Sequence, residues 1–215
     1  MTSPRFASVV FDVDSTLCGI EGVDWLAERK DPALANEFAV MTAAAMAGDV
    51  PLESIYANRM DKIRPGAADL AALAAAYRQA VAPGAAEVLR QLRAAGVQLR
   101  LVSGGLRRAI LPVALDLGFA ETDLTAMDVT MDDVGQYLDF DRRSPLCTAT
   151  GKIVVVRRLA LPAPILAVGD GISDAAMLGA ADAFAVYTGF VRREPVVKLA
   201  THECQSFNDI LHLVL

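Results

Sequence analysis

An open, doubly wound α/β sheet of mainly parallel strands, with a block of helices inserted after the first strand, is the fold that the sequence predicts. Three observations lead there. Short runs of apolar residues recur along the chain, helical patterns separate them, and one long stretch carries helical text alone. Apolar residues on consecutive positions mark strands covered on both faces, as in a parallel sheet.

The first such run, Ala7-Ser8-Val9-Val10-Phe11, ends at Asp12. From Gly19 to Ala82 no strand pattern occurs, and the alanine- and leucine-rich text predicts helices over 23–29, 33–47, 52–62 and 67–77. Asp31-Pro32, Gly48-Asp49-Val50-Pro51 and Pro65-Gly66 separate them. Pro83-Gly84 returns the chain to the core and precedes a helix over 85–95, with Val88, Leu89 and Leu92 on one face and Gly96 as its stop. Strands are then expected at 97–102, 165–168 and 183–186, and helices at 107–117 and 153–161. Alternating text around Gly135 (Met127, Val129, Met131, then Tyr137 and Phe140) predicts a β-hairpin beside the main sheet. The expected division is a core of residues 1–17 and 83–215 and a helical insertion of 18–82.

Composition narrows the function classes. Of 215 residues, 54 % are hydrophobic and 21 % charged, which supplies a core and excludes a disordered chain. The mean hydropathy of +0.37 comes largely from dispersed alanine. No apolar stretch approaches the ~20 residues of a membrane span, and the first eight residues lack the apolar run of a signal peptide. A net charge of −6 argues against nucleic-acid or anionic-lipid partners. Cys18, Cys147 and Cys204 have neither disulfide nor metal-site spacing. A cytoplasmic protein is expected.

In open α/β sheets, ligands bind beyond the carboxyl ends of the strands. After the first strand come Asp12-Val13-Asp14-Ser15-Thr16, after the second Ser103-Gly104-Gly105, and after the third Gly169-Asp170-Gly171-Ile172-Ser173-Asp174; Gly151-Lys152 opens the preceding helix. Four carboxylates at one sheet edge, with Lys152 as the cation, repel and raise one another's pKa. A hard divalent cation relieves this, and Mg²⁺ suits carboxylates, waters and a substrate phosphate. Ser103 offers a hydroxyl, Gly104 and Gly105 allow backbone N–H groups close to an anion, and Lys152 adds a point charge.

Taken singly, each has a plainer reading: Asp14 and Asp174 as turn or cap residues, Ser103-Gly104-Gly105 as a loop of small residues. In this order, after successive strands, they point to phosphate chemistry. Other chemistries have less support. Leu101 stands where a G-x-S-x-G elbow needs glycine, and Leu146 where a P-loop needs its first glycine. His202 and His212 both lie near the C-terminus and give no triad, and His202 with Cys204 lacks further metal ligands.

These four motifs together resemble those of the haloacid dehalogenase superfamily of phosphatases. Within it, the chain is similar to the phosphoserine phosphatase family through Glu21-Gly22-Val23-Asp24, through Met41 to Arg59 in the insertion, and through Gly189-Phe190-Val191-Arg192-Arg193. The resemblance implies that Asp12 attacks phosphorus to form an aspartyl-phosphate and that Asp14 serves as general acid and then base. It implies Mg²⁺ held by Asp12, the main-chain carbonyl of Asp14 and Asp170, with Asp174 close by, and phosphoryl oxygens held by Ser103, Gly104 and Lys152. It makes the insertion a cap that selects a small phosphorylated metabolite, O-phosphoserine. Glu21 would meet the amine, Arg59 the carboxylate, and Met41 and Leu52 the apolar side. Arg193 would assist, although adjacent Arg192 leaves the register open, and Arg59 has the plainer reading of a solvated helix charge. Two departures bear on substrate choice: Ser173 replaces the Asn or Thr of many relatives, and the Glu21-to-Arg59 spacing is longer. Hydrolysis of another small phosphometabolite, transfer of phosphate to another alcohol, and a non-catalytic phosphometabolite sensor stand as alternatives.

Overall fold

Every residue of Ser8–Phe11, the first strand (β1), is buried, because other strands pair with it on both sides. The computed structural model of the chain describes residues 4–47 and 52–215. After β1 come four helices, α1 (Gly22–Lys30), α2 (Pro32–Ala47), α3 (Leu52–Ile63) and α4 (Ala67–Gln79). Then follow α5 (Ala85–Ala94), β2 (Gln98–Leu106), α6 (Arg107–Asp116), β3 (Leu124–Met127), β4 (Val129–Met131) and β5 (Tyr137–Phe140). The last part runs through α7 (Gly151–Leu159), β6 (Ile165–Gly169), α8 (Ile172–Ala175), β7 (Ala183–Tyr187), α9 (Glu194–Val197), β8 (His202–Cys204) and α10 (Phe207–Val214).

Six strands form one parallel sheet in the order β3-β2-β1-β6-β7-β8, and β4 pairs antiparallel with β5 as a separate hairpin. The doubly wound, mainly parallel sheet and the hairpin match the sequence expectation. Phe11 lies in register with Leu101 on one side and Val168 on the other. The chain winds outward from β1 to β2 and β3 in one direction, and from β6 to β7 and β8 in the other. The switch point therefore falls between β1 and β6, where such sheets open a crevice. Asp12 and Asp170 follow those two strands directly.

Apolar packing fixes this arrangement. Val88, Leu89 and Leu92 bury one face of α5, each worth about 1.5–3 kcal/mol in removal from water. Phe207 of α10 stacks on Phe11 with ring centroids 5.9 Å apart and meets Tyr187 edge-on at 5.5 Å. The limbs of the inserted segment are held together where they leave and rejoin the sheet. Ala82 N donates to Leu17 O at 2.9 Å, and Gly19 N to Ala80 O at 2.8 Å.

Four differences from the sequence reading have local causes. β2 continues through Ser103-Gly104-Gly105 to Leu106, with its register on β3 shifting between Val102 and Leu106. Leu124–Met127 belongs to the edge of the main sheet, and the hairpin begins after it. Edge strand β8 and helix α10 add an end to the fold that the sequence reading left unassigned. Finally, Asp174, with the plainer reading of a turn or cap residue, lies inside α8, which a 3₁₀ turn at Ala176–Gly179 continues. Among the described residues no helix is long and apolar enough to cross a membrane.

Candidate active site

Pairing carries β1 one step past its last strand residue: Asp12 N donates to Val168 O at 2.9 Å, so the carboxylate emerges at a fixed height in the crevice. The chain then turns tightly, with Cys18 N donating to Val13 O at 2.9 Å and Ser15 in the left-handed region at φ +52°. Thr16 Oγ1 donates to Asp170 Oδ1 at 3.2 Å and ties the loop after β1 to the loop after β6.

Lys152, at the start of α7, is buried between two carboxylates. Its Nζ lies 2.6 Å from Asp12 Oδ1 and 2.5 Å from Asp174 Oδ1. Burial works against its charge, but Asp12 and Asp174 outweigh that and raise its pKa. The other oxygen of Asp174 accepts from Gly171 N at 2.9 Å and Asp170 N at 3.2 Å. Asp174 thus caps α8 through Gly171 N and also organises the loop that presents Asp170.

Asp14 opens onto the same crevice. Its Oδ1 accepts from Gly22 N at 3.1 Å and from the Tyr77 hydroxyl at 2.5 Å. Burial, reinforced by the charge of Glu21, lifts its pKa to about 7, with the two hydrogen bonds opposing the rise. A carboxyl of that kind holds a proton near neutrality and can act as acid or base. Asp12 is also raised well above the ordinary carboxylate range, first by burial and then by Asp174, while Lys152 pulls it down.

These groups face a cavity of about 290 Å³ that also reaches Glu21, Asp24, Tyr56, Arg59, Gly104, Ser173 and Arg193. Arg59 Nη2 pairs with Asp24 Oδ1 at 2.6 Å, and the guanidinium lies over the Phe38 ring, 5.0 Å from its centroid. Ser15 Oγ donates to Glu21 Oε1 at 2.7 Å. Arg193 reaches Glu21 at 3.6 Å and pairs closely with Asp170. Arg192 turns away to Glu203, 2.9 Å distant, so Arg193 is the member of the pair that lines the cavity.

Asp12, Asp170 and Asp174 present carboxylate oxygens within 4.8 Å of one another, all three buried. Lys152 is the cation that meets Asp12 and Asp174, and Arg193 pairs with Asp170. Three buried carboxylates offering oxygen donors at this spacing fit a hard divalent cation.

The haloacid dehalogenase-like hydrolase family model matches residues 9–179, the span that carries all four motifs. The chain belongs to that family. Among curated relatives, the chloroplastic phosphoserine phosphatase of Arabidopsis thaliana is 33 % identical over 210 residues, covering 95 % of this chain and 70 % of that protein. The Homo sapiens phosphoserine phosphatase is 32 % identical over 207 residues, covering 95 % and 91 %. A phosphoserine phosphohydrolase-like protein from Francisella tularensis superposes with a TM-score of 0.85 at 23 % identity, covering 97 % of this chain and 99 % of that one. A substrate-bound phosphoserine phosphatase gives 0.79 at 19 % identity over the whole of both chains. At those identities the structural likeness extends to the fold.

Within this haloacid dehalogenase-like crevice, Asp12, Asp14, Lys152, Asp170 and Asp174 come together, with Glu21, Arg59, Gly104, Ser173 and Arg193 around the same cavity. Ser103 and Met41 are not among its lining residues. Ser103 is fully buried, its Oγ accepting from Gly105 N at 2.9 Å. It shapes the strand end from behind. Met41 packs half-buried against the apolar core. Leu52 begins α3, and its side chain lies outside the described residues.

Sequence reasoning missed Tyr56 and Tyr77. Tyr56 Oη donates to Gly104 O at 3.0 Å and joins α3 to the end of β2. Both tyrosines lie on helices whose text resembles ordinary packing, and no local signal marks the contacts they make with distant loops.

Proposed function

We propose that the chain hydrolyses O-phospho-L-serine through an aspartyl-phosphate, with Mg²⁺ held by Asp12, Asp170 and the main-chain carbonyl of Asp14, and Asp174 alongside. The observation that carries this reading is the convergence of Asp12, Asp14 and Lys152 on a cavity that Glu21 and Arg59 also line. The relatives named phosphoserine phosphatase support it.

When bound, the cation offsets repulsion between the Asp12 carboxylate and the anionic ester. The freed Asp12 oxygen bonds to phosphorus as the bond to the seryl oxygen breaks. Asp14 gives its proton to that oxygen, so serine leaves as a neutral alcohol. Lys152 and the backbone around Gly104 stabilise charge on the phosphoryl oxygens. Water then attacks phosphorus and gives a proton to Asp14, which releases phosphate and restores both carboxyl groups.

Residues 18–82 serve as the cap over a core of 1–17 and 83–215. The Arg59 guanidinium offers two parallel donors to the substrate carboxylate, and Glu21 faces the ammonium. Ser173 and Arg193 complete the polar wall. Phosphate release from a panel of small phosphate esters, with and without Mg²⁺, tests the proposal. Phosphoserine should lead the panel, and free L-serine should inhibit. Equal turnover of all esters without serine inhibition would contradict the assigned substrate.

A further inference from the structure

Tyr77 lies outside all four motifs, yet its hydroxyl touches a reacting group. The side chain is fully buried in α4, and the hydroxyl donates at 2.5 Å to Asp14 Oδ1. Gly22 N, at the start of α1, donates to the same oxygen at 3.1 Å. Both donors belong to the segment inserted after β1. The second carboxyl oxygen, Oδ2, lies over Gly105, where a β-carbon would stand 2.9 Å from it.

The two oxygens of Asp14 are therefore unequal. Oδ1 already accepts two hydrogen bonds, so the acidic proton of a neutral carboxyl belongs on Oδ2. We propose that Tyr77 is a positioning residue for proton transfer to the leaving group. By holding Oδ1, it fixes the carboxyl plane and leaves Oδ2 as the oxygen that delivers the proton. Two features keep the hydroxyl in place. Helix α4 packs on α6, with Arg78 reaching Asp116 through two nitrogens at 2.6 and 3.2 Å. The space is also closed from the other side, because a β-carbon on Gly22 would lie 2.1 Å from Tyr77 Oη.

This inference rests on Asp14 acting as proton donor in the proposed hydrolysis. In that step the Asp12–phosphorus bond forms, the phosphorus–oxygen bond to serine breaks, and the seryl oxygen takes both the electron pair and the Oδ2 proton. A seryl alkoxide is a poor leaving group and needs that proton. A 4-nitrophenolate leaves without it. A residue that orients the donor matters for the first ester and little for the second, whereas one that merely supports the fold affects both alike.

The experiment measures single-turnover release of the alcohol, which reads the first half-reaction alone, for wild type, Tyr77→Phe and Gly22→Ala on phosphoserine and on 4-nitrophenyl phosphate, with Asp14→Asn as reference. Tyr77→Phe keeps the ring and removes the donor. It should slow serine release about tenfold with the half-saturating concentration little changed, and leave 4-nitrophenolate release within about twofold. Gly22→Ala, which displaces the hydroxyl, should show the same split, and Asp14→Asn a larger one. Retained 4-nitrophenolate release also reports that Tyr77→Phe and Gly22→Ala are folded. An equal fall on both esters, or unchanged serine release, would overturn the positioning role. Wild-type protein that released phosphate from neither ester would instead overturn the hydrolysis itself, and this inference with it.

Discussion

Arg59 of α3 and Asp24 of α1 form an ion pair at 2.6 Å on the cavity wall, with the arginine side chain 18 % exposed and the aspartate 47 %. The unequal exposure matters. Asp24 pulls the guanidinium into a defined direction from the wetter side, while the arginine itself stays largely desolvated against Phe38. A carboxylate-bearing substrate meets a cation already oriented, which lowers the ordering cost of binding.

Replacing Arg59 with alanine should therefore cost about 1.5–3 kcal/mol of transition-state binding for phosphoserine, roughly ten- to hundredfold in kcat/KM. Steady-state kinetics on an aryl phosphate, which lacks the carboxylate, should show a much smaller loss. If both substrates fall together, Arg59 serves the fold or the phosphoryl site.

Lys152 is the buried cation between Asp12 and Asp174, with only 8 % of its side chain exposed. Lys152→Met leaves two buried carboxylates without their common partner. The metal-free variant should lose about 3–5 kcal/mol of stability in urea unfolding, and turnover should disappear. A variant as stable as the wild type would mean that the carboxylates repel less than their geometry indicates.

The acidic cluster also sets a pH dependence. In the metal-free fold Asp14 binds its proton more tightly than in the unfolded chain, with its pKa raised from 3.8 to about 7. The stability it contributes is complete below the lower value and is lost as pH rises through the upper one. With metal chelated, wild-type stability should decline relative to Asp14→Asn between about pH 4 and about pH 7. Protons and Mg²⁺ compete for neighbouring carboxylates, so Mg²⁺ should raise the melting temperature more at about pH 8 than at about pH 5. Parallel pH profiles of the two proteins would count against a raised Asp14.

Much of this was legible in the sequence because each motif follows a strand that announces itself by consecutive apolar residues. Asp12 and Asp170 flank the switch point simply because β1 and β6 are neighbours. The extent of β2 was less legible, since Ser103-Gly104-Gly105 has turn composition and only the pairing on β3 extends it to Leu106. Strand β3 was hidden because Leu124–Met127 runs almost directly into the hairpin. Helix α10 did carry a signal, Ser206 three residues before Asp209, and the structure shows that capping pair bonded both ways. Tyr77 and Asp14 are 63 residues apart, and no spacing rule reveals which face of an alanine-rich helix meets a strand end.

The central claim is that the Asp12 carboxylate is the atom group that takes the phosphoryl. The most direct measurement is an acid quench of the enzyme during turnover of phosphoserine radiolabelled in its phosphoryl group, with Mg²⁺ present. Label should remain on the protein, be released by hydroxylamine as expected for an acyl phosphate, and be absent from Asp12→Asn, which should also be inactive. Continued turnover in Asp12→Asn, or label that survives the substitution, would contradict the account.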